Sequence, residues 1–357
     1  MKIMTVLGTR PEIIRLSRII PLLDELSEHT LVFTGQNYDP NLSTLFFDQL
    51  RIRKPDYRLE TKANTTWRQI GNILAQTDEV LDKVKPERFL VLGDTNSALT
   101  AQCAKRRGIT VYHMEAGNRC YDDRVPEETN RRVIDHSSDI LLPYTNRSRD
   151  NLLRESFHPS RVYVTGNPIK EVMDYYAPEI NASEILTRLG VSTDGYFLVT
   201  LHRAENVDVQ ERLHSFMNAF TAISEKYGIP VFLSLHPRTR SRLETVSYHV
   251  GTSVRLIDPP GFFDFVHLEK HAKALLSDSG TVQEEGCIMQ RPTVTLRDVT
   301  ERPETLECGS NILSGCKAED ILRCLAIVLG REGNWNAPYE YNEKSVSRIV
   351  TNILMGF

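Results

Sequence analysis

Short apolar runs that stop abruptly at polar residues recur along the whole chain. Residues 2–7 run into Gly8-Thr9-Arg10-Pro11, residues 30–34 into Gly35-Gln36, and residues 89–92 into Gly93-Asp94. Residues 110–114 end at Glu115-Ala116-Gly117; residues 139–142 and 162–164 complete a first set, which Gly166-Asn167-Pro168 closes. Runs this short predict strands buried on both faces, as in parallel sheets. After a connection at 174–181 the pattern repeats at residues 196–201, 231–235, 254–257, 274–276 and 293–296. Between the strands the spacing is helical. Ile13, Ile14, Leu16, Ile19, Ile20, Leu22, Leu23 and Leu26 form a wide apolar stripe behind Pro11, a residue helices accept early. Residues 345–354 give a last amphipathic stretch. Such alternation predicts an α/β protein of two Rossmann-like domains, each with a polar rim, facing a cleft.

The polar ends carry candidate chemistry, because open parallel sheets bind ligands at the carboxyl ends of their strands. The run 274–276 breaks at Ser277-Asp278-Ser279-Gly280, and helical character follows from Thr281 to Met289. A helix opening there turns free amides and its dipole toward an anion, and Gly280 lets the backbone approach a phosphate. A plain N-cap by Ser279 or Asp278 explains the same residues. Glu284 and Glu285 follow in the first turns, where a carboxylate can accept from sugar hydroxyls. Arg10 and His202 each follow an apolar strand in a different half, and a cation there fits a diphosphate.

The densest polar cluster, residues 113–131, puts Glu115 just past a buried strand and Glu127 at a helix start after Pro126. Burial at a strand end raises a carboxyl toward the range useful for proton transfer. Asp94 also follows an apolar strand, where capping is the alternative. Asp122, Asp123 and Arg124 are expected to be solvated ion pairs, and Arg240 and Arg242 part of a solvated basic helix start. The loop at 297–307, with Thr300, Glu301, Arg302 and Glu304, either holds a ligand or caps a domain interface.

Composition narrows the class. The chain has 357 residues, 40% hydrophobic and 25% charged, with a net charge of −4. Nothing there draws it to nucleic acid or membrane, and no apolar run approaches a membrane span. Its six cysteines form no CxxC pair and no zinc spacing. A cytoplasmic enzyme with reduced thiols and no bound metal is expected. The first strand is not followed by GxGxxG, and GTRPE is too poor in glycine for a Walker loop, so neither a dinucleotide nor a P-loop is signalled.

Nine motifs in order resemble the non-hydrolysing UDP-N-acetylglucosamine 2-epimerase family. They are GTRPE at 8–12, TGQ at 34–36, GDT at 93–95, EAGNR at 115–119, PEETNR at 126–131, TGNP at 165–168, HRAEN at 202–206, SDSG with QEE at 277–285, and RDVTERPE at 297–304. The resemblance implies a glycosyltransferase-B-like architecture whose last helix crosses back, so that residues 1–168 with 345–357 form one domain and 169–344 the other. It implies that Arg10, His202, Ser279 and Gly280 hold the UDP diphosphate, with Glu285 on the ribose and Thr281 also binding UDP. It implies that Asp94, Glu115 and Glu127 act as acid/base groups around the sugar, with His202 among the catalytic residues. Arg15, Gln36, Arg131 and Arg302 are further substrate-side candidates. No cofactor is expected, and the partners are a UDP-sugar and a second copy of the chain in a homodimer.

The chain departs from members acting on UDP-N-acetylglucosamine. Those usually have lysine at Arg15, a second glycine at Thr281, and TGQH where this chain reads TGQN with Asn37. GTRPEIIRLS, TGQNYD, EAGNRC and SDSGT are similar to the branch that forms UDP-N-acetyl-L-fucosamine from UDP-2-acetamido-2,6-dideoxy-L-talose. UDP-N-acetylglucosamine to UDP-N-acetylmannosamine is the alternative. A hydrolysing epimerase and a glycosyltransferase are rivals, the latter opposed by carboxylates it does not need.

Overall fold

The computed structural model describes residues 1–36, 40–245, 253–331 and 335–356; Asn37, Tyr38 and Asp39 of the TGQNYD run, and Phe357, lie outside the described residues. The chain divides into two compact units, Met1–Asp174 with Glu340–Phe357, and Tyr175–Tyr339. The first holds strands β1 (Lys2–Leu7), β2 (Glu28–Phe33), β3 (Tyr57–Arg58), β4 (Arg88–Leu92), β5 (Thr110–Met114) and β6 (Ile140–Leu142). The second holds β7 (Phe197–Thr200), β8 (Val231–Ser234), β9 (Val254–Ile257), β10 (Ala274–Ser277), β11 (Thr293–Thr295) and β12 (Asn311–Leu313).

The first sheet runs β3-β2-β1-β4-β5-β6 and the second β12-β11-β10-β7-β8-β9, with every pairing parallel. Renumbered within its unit, the second order is the first. Each is the doubly wound arrangement in which chain direction across the sheet reverses once, at β1/β4 and at β7/β10, and ligands bind beside such a reversal. The second sheet shows why apolar runs without alternation become its strands. Phe197, Val199, Leu233 and Leu276 enter one core, while Tyr196, Leu198, Phe232 and Leu275 enter another on the opposite face.

Four helices matter first in unit one: α1 (Arg10–Leu16), α2 (Ile19–Leu26), α3 (Pro126–His136) and α4 (Ile169–Tyr175). Unit two contributes α5 (Gly280–Ile288) and α6 (Pro303–Glu307), and the chain returns to unit one with α7 (Val346–Gly356). Buried Val346, Val350 and Leu354 stack at intervals of four on one face of α7, which packs on α2.

Several expectations need correction. The stripe from Ile13 to Leu26 forms two helices, since the chain leaves the helix at Ser17-Arg18. Residues 162–164 are not a strand; only Val162 bridges to Leu141. The connection at 174–181 is helical, from the end of α4 into a helix Ala177–Asn181. Residues 169–174 and 340–344 fall in unit one. Glu171 in α4 accepts from the Ser347 amide at 2.8 Å and from its hydroxyl. Glu340 accepts from the Asn146 amide at 3.0 Å, and its carbonyl accepts from Asn167 at 3.0 Å.

Candidate active site

In unit one the loops after β1 and β4 meet at the reversal, and their contact is tight. A Cβ on Gly8 would lie 2.1 Å from Ser97 Oγ and 2.2 Å from Thr34 Oγ1, so glycine is required there. Thr9 caps α1, and Glu12 three residues later reaches back to it, as in a capping box. Glu12 Oε2 accepts from the Gly8 amide (3.0 Å), the Thr9 amide (2.7 Å) and the Thr9 hydroxyl (2.8 Å). Its Oε1 accepts from Thr95 in the β4 loop at 3.0 Å. Burial outweighs those hydrogen bonds and pushes the Glu12 carboxyl up to about 7. Sequence reasoning gave Glu12 no role beyond its place in GTRPE.

Arg10 opens α1 with its guanidinium 5.8 Å from the Phe46 ring centre. Gln36 is occupied locally: its side-chain oxygen accepts from the Ser97 amide at 3.1 Å and hydroxyl at 3.0 Å. Asp94 receives Arg131 of α3 at 2.7 Å, and its carbonyl accepts from Asn130 at 2.9 Å. Glu115 is buried and left-handed at φ +65°, a backbone conformation that costs a non-glycine residue free energy and gathers at functional sites. Its carboxylate accepts from Asn118 at 3.3 Å and lies 3.8 Å from Arg15, which sits against Tyr144. It also covers Gly93, where an added Cβ would be 3.9 Å from Glu115 Oε2.

The two glutamates that open α3 differ. Glu128 is fully buried and engaged by the fold, accepting from the Cys120 and Tyr121 amides at 3.0 and 3.1 Å and from Arg131 at 2.8 Å. Glu127 is half-buried, so it retains access to solvent. That separates two residues that the string PEE leaves equivalent.

Behind these loops lies a polar network the sequence reading missed. His113 Nδ1 meets Asp135 at 2.8 Å and Nε2 meets the Gly93 carbonyl at 2.9 Å. Asp135, at the far end of α3, also accepts from the Gly117 amide at 3.2 Å and from Arg119 at 2.7 Å. Burial alone would raise the Asp135 carboxyl, but His113 and Arg119 together bring it below its ordinary value. A histidine interrupting the buried run Val111-Tyr112-His113-Met114 was the available signal.

In unit two the loops after β7 and β10 meet at the other reversal. Asp278 is fully buried and accepts from the His202 amide (3.0 Å), the Arg203 amide (2.8 Å) and Asn206 (3.2 Å), with the His202 ring at 3.0 Å. Burial acts to raise this carboxyl too, but the His202 charge and the hydrogen bonds hold it far below the usual carboxylate range. Asp278 therefore joins two loops and is not a plain helix cap. Ser279 holds the cap position without a side-chain cap bond; its hydroxyl pairs with Thr281 at 3.0 Å at the start of α5.

Gly280 is tightly enclosed by the fold. Its absent Cβ would lie 2.7 Å from the Glu301 carboxylate, so the ERPE loop presses on the turn. Arg302 bonds Glu284 of α5, while Arg297 meets Glu301 at 2.8 Å and Arg203 meets it at 3.6 Å. Glu285 is buried beside Glu269, whose carboxyl is raised well above its ordinary value by burial and by the Glu285 charge and hydrogen bond.

Of the residues expected to be solvated, Asp123, Arg124, Arg240 and Arg242 are exposed, while the Asp122 side chain is largely covered. Arg124 pairs with Asp122 at 2.6 Å and Arg242 with Asp208 at 2.8 Å, and Arg240 reaches Asp258. Among the described residues no group of three His, Cys, Asp or Glu side chains could hold a metal ion, and no helix is long and apolar enough to cross a membrane.

Comparison with known proteins places the chain in a family. A family model described as UDP-N-acetylglucosamine 2-epimerase matches residues 23–354. A UDP-N-acetylglucosamine 2-epimerase of Methanocaldococcus jannaschii is 40% identical, with 100% of each chain covered. The M. jannaschii enzyme crystallised in complex with UDP-GlcNAc and UDP superposes with a TM-score of 0.94 at 39% identity, again over 100% of each chain. A UDP-2,3-diacetamido-2,3-dideoxy-D-glucuronate 2-epimerase of Pseudomonas aeruginosa is 38% identical over 93% of each chain. WaaG, a glycosyltransferase of lipopolysaccharide biosynthesis, matches with a TM-score of 0.62 at 13% identity over 100% of each chain, a likeness of fold alone.

Proposed function

The chain belongs to the UDP-N-acetylglucosamine 2-epimerase family, and on that premise we propose that it inverts C2 of a UDP-2-acetamido sugar without net hydrolysis. The observation that carries this is the presence in one unit of three carboxylates: Asp94 after β4, Glu115 after β5 and Glu127 at the start of α3. The C2 proton of such a sugar has no neighbouring carbonyl, so direct removal is hard. Cleavage of the anomeric C1–O bond, with UDP departing, leaves C1 electron-poor and acidifies C2–H. A carboxylate takes that proton, giving a 2-acetamidoglycal and UDP. Re-addition of UDP oxygen to C1, with a proton delivered to the other face of C2, completes the inversion.

UDP leaves readily only if its charge is held. We assign its diphosphate to Arg10, His202, Ser279, Gly280 and Thr281, its ribose to Glu285, and the sugar to Asp94, Glu115 and Glu127, with Arg15, Gln36, Arg131 and Arg302 as accessory groups. We take the substrate to be UDP-2-acetamido-2,6-dideoxy-L-talose, converted to UDP-N-acetyl-L-fucosamine for surface polysaccharide. Arg15 and Thr281 support that choice. UDP-N-acetylglucosamine is the second reading, favoured by the names of the M. jannaschii relative and its complex.

The test is incubation in deuterium oxide with UDP-2-acetamido-2,6-dideoxy-L-talose, UDP-N-acetylglucosamine and UDP-2,3-diacetamido-2,3-dideoxy-D-glucuronate, followed by NMR at C2, with no acceptor present. Exchange and inversion of the talose derivative are expected. Exclusive turnover of another sugar overturns the substrate, and no exchange with any overturns the reaction. Glu115→Gln and Glu127→Gln should each slow exchange by about 10²-fold or more, with UDP affinity retained.

A further inference from the structure

The carboxylates assigned to the sugar stand on three separate segments, and one buried device touches two of those segments and ends the third. The backbone that carries Asp94 turns at Gly93, whose carbonyl accepts from His113 Nε2 at 2.9 Å. The backbone that carries Glu115 turns at Gly117, whose amide donates to Asp135 Oδ2 at 3.2 Å. Asp135 Oδ1 and His113 Nδ1 join the two at 2.8 Å. Asp135 belongs to α3, the helix that starts with Glu127 and also sends Asn130 to the Asp94 carbonyl and Arg131 to its carboxylate. Both Asp135 oxygens and both ring nitrogens of His113 are engaged.

We propose that His113 and Asp135 are a positioning pair for the epimerisation, fixing the backbones of Asp94 and Glu115 relative to α3 and so to Glu127. Neither is a catalytic residue: both are buried behind the loops, with at most 1% of their surface exposed. The chemistry favours a single arrangement. His113 faces a carboxylate on one side and a carbonyl on the other, both of them hydrogen-bond acceptors. A ring N–H donated to the Asp135 carboxylate is a charge-assisted link, stronger and more directional than one between neutral groups. Arg119 supplies a cation on Asp135 and is itself gripped by Glu155 at 2.8 and 2.6 Å, which closes the chain of contacts at the surface. Gly117 cannot yield elsewhere. It holds φ +79°, an added Cβ would lie 2.2 Å from the Ser148 carbonyl, and its own carbonyl accepts from Asn151 at 3.0 Å.

The role rests on the epimerase reading, and two measurements separate it from that reading. Hydrogen exchange of Asp135→Asn and His113→Asn should quicken at residues 93–97 and 115–119 and stay unchanged across unit two. Protection equal to wild type in both loops overturns the pair, whatever the reaction is. Steady-state kinetics with protiated and C2-deuterated substrate form the second measurement. Displaced carboxylates make proton transfer slower, so kcat should fall by about 10²-fold, the size expected for misplaced groups. KM and UDP affinity should stay near wild type while the C2 isotope effect on kcat rises. A protein that is merely less folded loses kcat in proportion to its folded fraction with the isotope effect unaltered, and that outcome refutes positioning. Glu155→Gln loosens Arg119 from outside and spares the core, so it should give a smaller kcat loss with the same rise in isotope effect. Its absence there, with Asp135→Asn unfolded, also refutes the pair. Quickened loop exchange in the variants, with a wild type that epimerises none of the three sugars, upholds the pair and rejects the reaction.

Discussion

Glu12 and Asp278 do the same job in the two units and are held in opposite ways. Each is a buried carboxylate that ties the first and fourth strand-end loops of a six-stranded parallel sheet. Glu12 receives only neutral donors, two amides and two hydroxyls, and its carboxyl rises to about 7. Asp278 receives amides too, but also the His202 ring, and its carboxyl drops far below its ordinary value. At Glu12 four neutral donors do not offset burial, whereas at Asp278 the His202 ring and the hydrogen bonds more than offset it. The unit of Asp278 carries His202, Ser279, Gly280 and Thr281 of the residues assigned to the diphosphate, while the unit of Glu12 carries Arg10 and the carboxylates assigned to proton transfer, where groups near neutrality are useful.

The comparison breaks first at Asp278. Asp278→Asn leaves His202 without its counter-charge and sets an amide against backbone donors. It should cost about 4 kcal/mol in urea unfolding, within the range for breaking a buried ion pair. A loss under about 1 kcal/mol would mean that the ionised carboxylate is not what holds the two loops.

The second test is the pH dependence of Glu12. Its folded value, about 7, lies above the 4.5 of an ordinary glutamate. The protonated form is thus favoured by folding, and stability contributed by this group falls as pH rises from about 4.5 to 7, then levels. The drop should be about 3 kcal/mol, from roughly 2.5 pKa units. Glu12→Gln imitates the protonated acid, with an oxygen for the Gly8-Thr9 donors and an NH₂ for Thr95. The variant should therefore match wild type near pH 5 and exceed it near pH 8. Parallel stability curves would remove the contrast. Asp278 has the opposite sign: its contribution is present above about 4 and is lost as pH falls below it.

A third, smaller effect concerns ligand. His202→Ala and Arg10→Ala should each weaken UDP binding by about 2 kcal/mol in calorimetry, the value for a hydrogen bond to a charged group. Glu12→Gln at pH 6 should leave UDP affinity unchanged. A loss in Glu12→Gln as large as in His202→Ala would show that the two buried carboxylates are not distinguished by their part in UDP binding. Smallest of all, Arg240→Ala and Arg242→Ala should shift unfolding by no more than about 0.5 kcal/mol, as expected for exposed pairs.

The architecture was legible because a doubly wound sheet needs short, mostly apolar strands, and β1, β4, β5, β7 and β10 have that composition. The strands that escaped notice are β3 and β12, two and three residues long. Each extends a sheet edge with hardly any apolar run of its own. Polar residues at strand ends were legible for the same reason that they are useful: an Asp or Glu ending a buried run stands out. What local pattern could not show was partnership across the chain. Glu12 and Thr95 are 83 positions apart and His113 and Asp135 are 22, so neither pair leaves a spacing to read. The crowding at Gly280 comes from Glu301, which only the folded loop brings there.

The split make-up of unit one gives the molecule an order of assembly. Residues 175–339 form unit two as one continuous stretch, whereas unit one needs residues 340–356 to cover α2, hold α4 through Ser347 and seat Asn146 and Asn167 on Glu340. On the ribosome the first 174 residues emerge early but lack that cover until the whole of unit two has been made. The segment bearing Asp94, Glu115 and Glu127 is thus synthesised first and completed last.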